Sequence, residues 1–140
     1  PVIRQLLALK TDAGTGSLEQ LALAEYCPSN FTEHVDRLMY TLCTKADAMV
    51  AAVRSEFGDN VQVTEPMGGI YVWLTFPAGT NTDALALAAN QAGIEFNPGS
   101  GWSSDHEWGK RRLRLCFGAP DLDTIRGGVA ALAQVYRASL

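Results

Sequence analysis

From Phe31 to Phe57 apolar residues recur at helical spacing: Phe31, Val35, Leu38, Met39, Leu42, Ala46, Met49, Val50, Val53 and Phe57. Asn30, with Glu33 three residues on, predicts the N-cap of this helix, and Gly58 its left-handed stop. At about 1.5 Å per residue the predicted helix is about 40 Å long and needs a partner for its apolar side. After Gly58 the pattern changes to short β-branched and aromatic runs, "VQVTE" and "GGIYVWLTF", separated by Pro66-Met67-Gly68-Gly69. A long helix that gives way to strands points to helices laid on a sheet rather than to a helical bundle.

The remaining elements follow from the same signals. Ile3, Leu6 and Leu7 predict a short helix that ends before "TDAGTGS". A second helix is expected from Ser17, with Ser17 and Gln20 as a capping box, and is expected to stop at Cys27-Pro28. Thr80 to Ala92 reads as a helix capped by Thr80 and Asp83 and closed by Gly93. "IEFNP" reads as a short strand, "GSGWSSDHEWGK" as a polar loop, and 112–117 as a strand. Asp121 caps a last helix with Leu122, Ile125, Val129, Leu132 and Tyr136 inward. Gly127 and Gly128 within it suggest a close helix contact, since each costs about 1 kcal/mol relative to alanine. The expected fold class is α+β: a small, largely antiparallel sheet with helices on one face, preceded by a long helix.

A chain of 140 residues with 47% hydrophobic and 19% charged residues suits a single globular domain and argues against disorder. The net charge of −4 gives no footprint for nucleic acid or an anionic membrane. No apolar run is long enough for a membrane span. Cys27, Cys43 and Cys116 are odd in number and widely spaced, which suggests reduced thiols and a cytoplasmic setting rather than a zinc site. The chain opens on Pro1-Val2-Ile3 inside a helical pattern, so it is expected to be a piece of a longer protein, with 1–29 joining the domain to the rest.

Few residues suggest chemistry by themselves. "GTGS" at 14–17 precedes a helix but lacks the lysine of a phosphate loop, and reads as an ordinary loop. "SSDHE" at 103–107 sets Ser, Asp, His and Glu side by side, where neighbours rarely converge on one metal or nucleophile. His34 beside Glu33 reads as solvated. No catalytic, cofactor-binding or metal-binding residue is therefore assigned. The strand "RRLRLCF" is different: Leu113, Leu115 and Phe117 point one way, and Arg112, Arg114 and Cys116 the other. Such a strand is either wet on its outer face or presents one arginine as a rigid anion fork.

Four segments in register bear on that choice: "EHVDRL" (33–38), "EPMGGIYVWL" (65–74), "GIEFNPGSGW" (93–102) and "LRLCFGAPDLDTIRGGVAAL" (113–132). Together they resemble the C-terminal small domain of the fold-type I, class I/II pyridoxal-phosphate-dependent aminotransferases. The subgroup most similar acts on aminoadipate, kynurenine and aromatic or branched-chain amino acids. The resemblance implies an enzyme that moves an amino group between an amino acid and a 2-oxo acid and works as a homodimer, with neither nucleic acid nor membrane among its partners. It also implies that Arg114, in a Leu-Arg-Leu-x-Phe pattern with Cys116 where the family has serine, binds the substrate α-carboxylate. Arg111 and Arg112 keep the plain reading. The family holds its cofactor on a lysine in a Ser-x-x-Lys-like context. Lys10, Lys45 and Lys110 have no such context, so this chain alone is expected to be inactive. Two alternatives are the effector domain of an aminotransferase-like transcription regulator and a free-standing α+β binding module.

Overall fold

The computed structural model describes residues 2–11 and 14–140. Contacts divide the chain into two units, residues 1–37 and 38–140. The first holds helix α1 (Val2–Leu9) and the opening turns of helix α2 (Ser17–Phe57). Within it Ile3, Leu6, Leu7, Leu18, Leu21 and Phe31 are all exposed.

Helix α2 corrects two expectations. It does not stop at Cys27-Pro28 but runs through Pro28 as one helix of 41 residues. Pro28 cannot donate to the carbonyl of Ala24, but that stretch is exposed, and water can serve the carbonyl instead. Asn30 is therefore no N-cap. It lies within the helix, and its side-chain amide donates to the Tyr26 carbonyl at 2.9 Å. The expected Ser17–Gln20 capping box is not formed either: the Gln20 side chain donates to the Thr15 carbonyl at 3.0 Å. Gly58 ends the helix as expected, with φ of +58°.

The second unit holds the sheet. Strands β1 (Gln62–Thr64), β2 (Tyr71–Thr75), β3 (Asn97–Pro98) and β4 (Arg112–Cys116) lie in the order β1-β2-β4-β3, each pair antiparallel. Helix α3 (Thr82–Gln91) follows β2, helix α4 (His106–Lys110) precedes β4, and helix α5 (Leu122–Ala138) ends the chain. The α+β expectation holds, with two local changes. Asn81, not Thr80, caps α3 by accepting from the amides of Asp83 and Ala84. The expected polar loop also contains a 3₁₀ turn at Gly99–Trp102 and helix α4, which Asp105 caps through the Trp108 amide at 2.9 Å.

One face of the sheet carries Val72, Leu74, Phe76, Leu113, Leu115 and Phe117, all buried. They share a core with Met49, Val50, Val53 and Phe57 of α2, Leu85 and Ala89 of α3, and Ile125, Val129, Leu132, Ala133 and Tyr136 of α5. Phe57, Phe76 and Tyr136 pack as rings, with centroids 4.9 to 5.9 Å apart. Only the last turns of α2 reach this core. Leu38 and Met39, expected inward, are about half exposed. Gly127 and Gly128 make no close contact, because nothing lies within 4 Å of a Cβ built on either.

Candidate functional site

The opposite face of the sheet carries Tyr71, Trp73, Thr75, Arg112, Arg114 and Cys116. The register sets Arg114 of β4 between Trp73 on β2 and Asn97 on β3. Pairing on both sides fixes the backbone at Arg114, and the burial of Leu113 and Leu115 below fixes which way its side chain leaves the sheet. Its guanidinium carbon lies 3.8 Å from the centroid of the Tyr71 ring and 3.6 Å from that of Trp102. Both rings are partly exposed, so the cation keeps contact with solvent. Among the described residues no hydrogen bond or ion pair engages Arg114, and its Nε is buried without a partner.

Arg112, two residues earlier on the same face, is engaged otherwise. Its guanidinium lies 3.7 Å from the Trp108 ring centroid and donates to the Trp108 carbonyl at 2.6 Å. Burial, and then the charge of Arg111, hold its pKa below the usual arginine value. Arg112 latches α4 to β4, whereas Arg114 has donors to spare.

The segment that brings Trp102 over Arg114 is fixed to α3. Thr82 is fully buried, and its hydroxyl lies 2.9 and 2.7 Å from the carbonyls of Lys110 and Arg112. Ser100 donates to Asp83 at 2.5 Å. Residues of "SSDHE" serve the same segment, since Ser103 accepts from the Asp105 amide and Asp105 caps α4. Among the described residues no group of three or more His, Cys, Asp or Glu is placed to hold a metal. His34 meets Tyr26, whose hydroxyl lies 3.3 Å from its Nδ1. Cys27, Cys43 and Cys116 are free thiols.

The larger cavities lie apart from the paired rings. One of about 850 Å³ is lined by Glu56, Asn81 and Arg137 among others, and neither arginine of β4 touches it. Another, of about 400 Å³, is bordered by Arg114 itself, with Asn97, Cys116 and core residues such as Met49, Phe96 and Leu132, but by neither Tyr71 nor Trp102. What Arg114 offers is an outward-facing cationic fork on a central strand, suited to a planar anion such as a carboxylate. Sequence reading singled out Arg114 but missed Tyr71 and Trp102, whose only signal is that both fall within the quoted aminotransferase-like segments.

A four-stranded antiparallel sheet backed by helices and led into by a long helix is the small-domain fold of aminotransferases. Relatives and structural neighbours of this chain include aminotransferases, matched over about a third of their length. The chain is 30% identical over 129 residues to 2-aminoadipate transaminase of Thermus thermophilus, a match that covers 92% of this chain and 32% of that protein. The solved structure of α-aminoadipate aminotransferase from Thermus thermophilus, complexed with N-(5′-phosphopyridoxyl)-L-leucine, superimposes with a TM-score of 0.84 at 29% identity. That superposition covers 91% of this chain and 32% of that one. An uncharacterized HTH-type transcriptional regulator of Bacillus subtilis strain 168, YisV, is 27% identical over 140 residues, 98% of this chain and 28% of that protein. The chain thus spans about a third of the length of the curated relatives it matches. No family model matches it.

Proposed function

We propose that this chain is the substrate-binding small domain of a pyridoxal-phosphate-dependent aminotransferase, and that Arg114 is the fork for the α-carboxylate of its amino acid and 2-oxo acid substrates. The observation that carries this reading is Arg114 itself. It sits on a central strand, matches the family's Leu-Arg-Leu-x-Phe pattern and has no hydrogen-bond or ion-pair partner among the described residues. A ping-pong transfer uses two substrates that share an α-carboxylate, so one rigid fork can serve both half-reactions.

The residues of this chain do not fit the anchoring of the cofactor. The Lys45 ammonium donates to the Gly118 carbonyl at 3.0 Å, and Lys110 pairs with Glu107 at 2.5 Å. With Lys10 also outside a Ser-x-x-Lys-like context, the chain by itself is inactive in this reading. The intact protein supplies the cofactor-binding part and is a cytoplasmic homodimer with neither nucleic acid nor membrane as partner. No helix among the described residues is long and apolar enough to cross a membrane. The exposed apolar side chains of α1 and early α2 also suit a chain that the rest of a longer protein covers.

In the intact protein, Arg114→Lys should lower kcat/KM for transamination on the order of 100-fold, about 2.7 kcal/mol, because lysine keeps the charge but loses the two-pronged geometry. Arg112→Lys, at the latch, should change it little. Equal effects of the two substitutions would sink the assignment. The regulator reading has the Bacillus subtilis likeness behind it. Sequence-specific DNA binding by an intact protein without transaminase activity would favour it.

A further inference from the structure

We infer that Tyr71 and Trp102 are positioning residues for the carboxylate site, forming an aromatic clamp that fixes the plane of the Arg114 guanidinium and leaves only its Nη edge to the substrate. The inference rests on the reading of Arg114 as the carboxylate fork. Rings lie within 4 Å of the guanidinium carbon on two sides, Tyr71 at 3.8 Å and Trp102 at 3.6 Å. A free arginine side chain turns about its long stem, and a site that relies on one must order it whenever a ligand binds. Stacking between two rings holds the plane beforehand and leaves the in-plane donors unused.

The buried, unpartnered Nε decides which of those donors a ligand reaches. With Nε closed off, a side-on approach through Nε and one Nη is blocked. The two Nη nitrogens have no partner among the described residues and are not buried, so they form the open edge. The clamp therefore sets the direction of approach as well as the plane. Its two jaws come from separate elements. Tyr71 is on β2, diagonal to Arg114, and Trp102 ends the 3₁₀ turn that Ser100 ties to Asp83.

The test uses the intact protein and steady-state transamination, with each of the twenty protein amino acids tried as donor and the best one kept. Trp102→Ala should raise the donor KM on the order of tenfold and leave kcat within about twofold, the loss of one cation–π contact. Trp102→Phe should restore KM to within about threefold, because a ring is what the position requires. Tyr71→Leu should act in the same direction, with Tyr71→Phe as its rescue, and provides the second jaw should Trp102→Ala fail to fold. Trp108→Ala, beside the latch arginine, should leave KM unchanged. A purely structural role would lower the active fraction and hence kcat while leaving KM in place, and that result overturns the clamp. If Arg114→Lys is damaging but the ring variants leave KM unmoved, the fork stands and the clamp falls. If Arg114→Lys is no worse than Arg112→Lys, or no donor is found, the fork falls and the clamp with it.

Discussion

Gly99 and Gly109 pass so close that a Cβ built on Gly99 would stand 2.6 Å from the Gly109 carbonyl oxygen. The carbonyl oxygen of Arg112 would be only 2.8 Å away, so the obstruction is backbone and cannot turn aside. Gly99 opens the turn that ends at Trp102, and Gly109 belongs to α4. Gly99→Ala should therefore destabilise the chain by about 1–3 kcal/mol in denaturant unfolding. Gly101→Ala, with nothing within 4 Å of its new Cβ, should cost less than about 1 kcal/mol. Equal losses for the two variants would mean that this approach is not tight in solution.

The half-exposed Leu38 and the buried Phe76 form a second test. Phe76→Ala should cost about 3–5 kcal/mol, because Phe76 is enclosed by Phe57, Tyr136 and the sheet. Leu38→Ala in this chain should stay within about 0.5 kcal/mol. A cost of about 2 kcal/mol or more at Leu38 would show that its face of α2 is covered when the chain is in solution.

Gly127 lies exposed in the middle of α5, where a Cβ meets nothing within 4 Å. Gly127→Ala should raise stability by about 0.5–1 kcal/mol, since alanine loses less backbone freedom in a helix. A lower melting temperature would reveal a neighbour that α5 packs against.

Asp121 carries a pH dependence. Hydrogen bonds from the Thr124 hydroxyl, and then from the Thr124 amide, hold its carboxyl below its ordinary value of 3.8. A depressed folded-state pKa contributes stability that is fully present above the unfolded value and is lost as pH falls through the folded one. The stability advantage of the chain over Asp121→Asn should thus be flat from about pH 5 to 8 and shrink below about pH 4. An advantage that grows in acid would reverse the assignment.

How far the sequence revealed this structure depended on the range of the interaction. The alternation of Leu113, Leu115 and Phe117 with Arg112, Arg114 and Cys116 was legible because period two is local, and the burial of those leucines and of Phe117 bears it out. The caps at Asp121 and Gly58 were legible for the same reason. Pro28 misled because a missing amide costs little where the orphaned carbonyl faces water. Leu38 misled because periodicity reveals which side of a helix is apolar, not whether anything lies against it. Trp102 stayed hidden because its stacking on Arg114 spans a turn, a short helix and a glycine contact that no local pattern encodes.

The sheet's short borders bear on how the isolated chain would fail. One edge strand, β1, has three residues and the other, β3, has two, one of them Pro98 with no N–H to offer. A border so brief gives another chain almost no template for strand addition. The oily surface instead lies on the helices at the start of the chain, where Leu6, Leu7, Leu18 and Leu21 face outward. Self-association at high concentration would thus proceed through helical contacts, reversible and without the cross-β signature of fibrils.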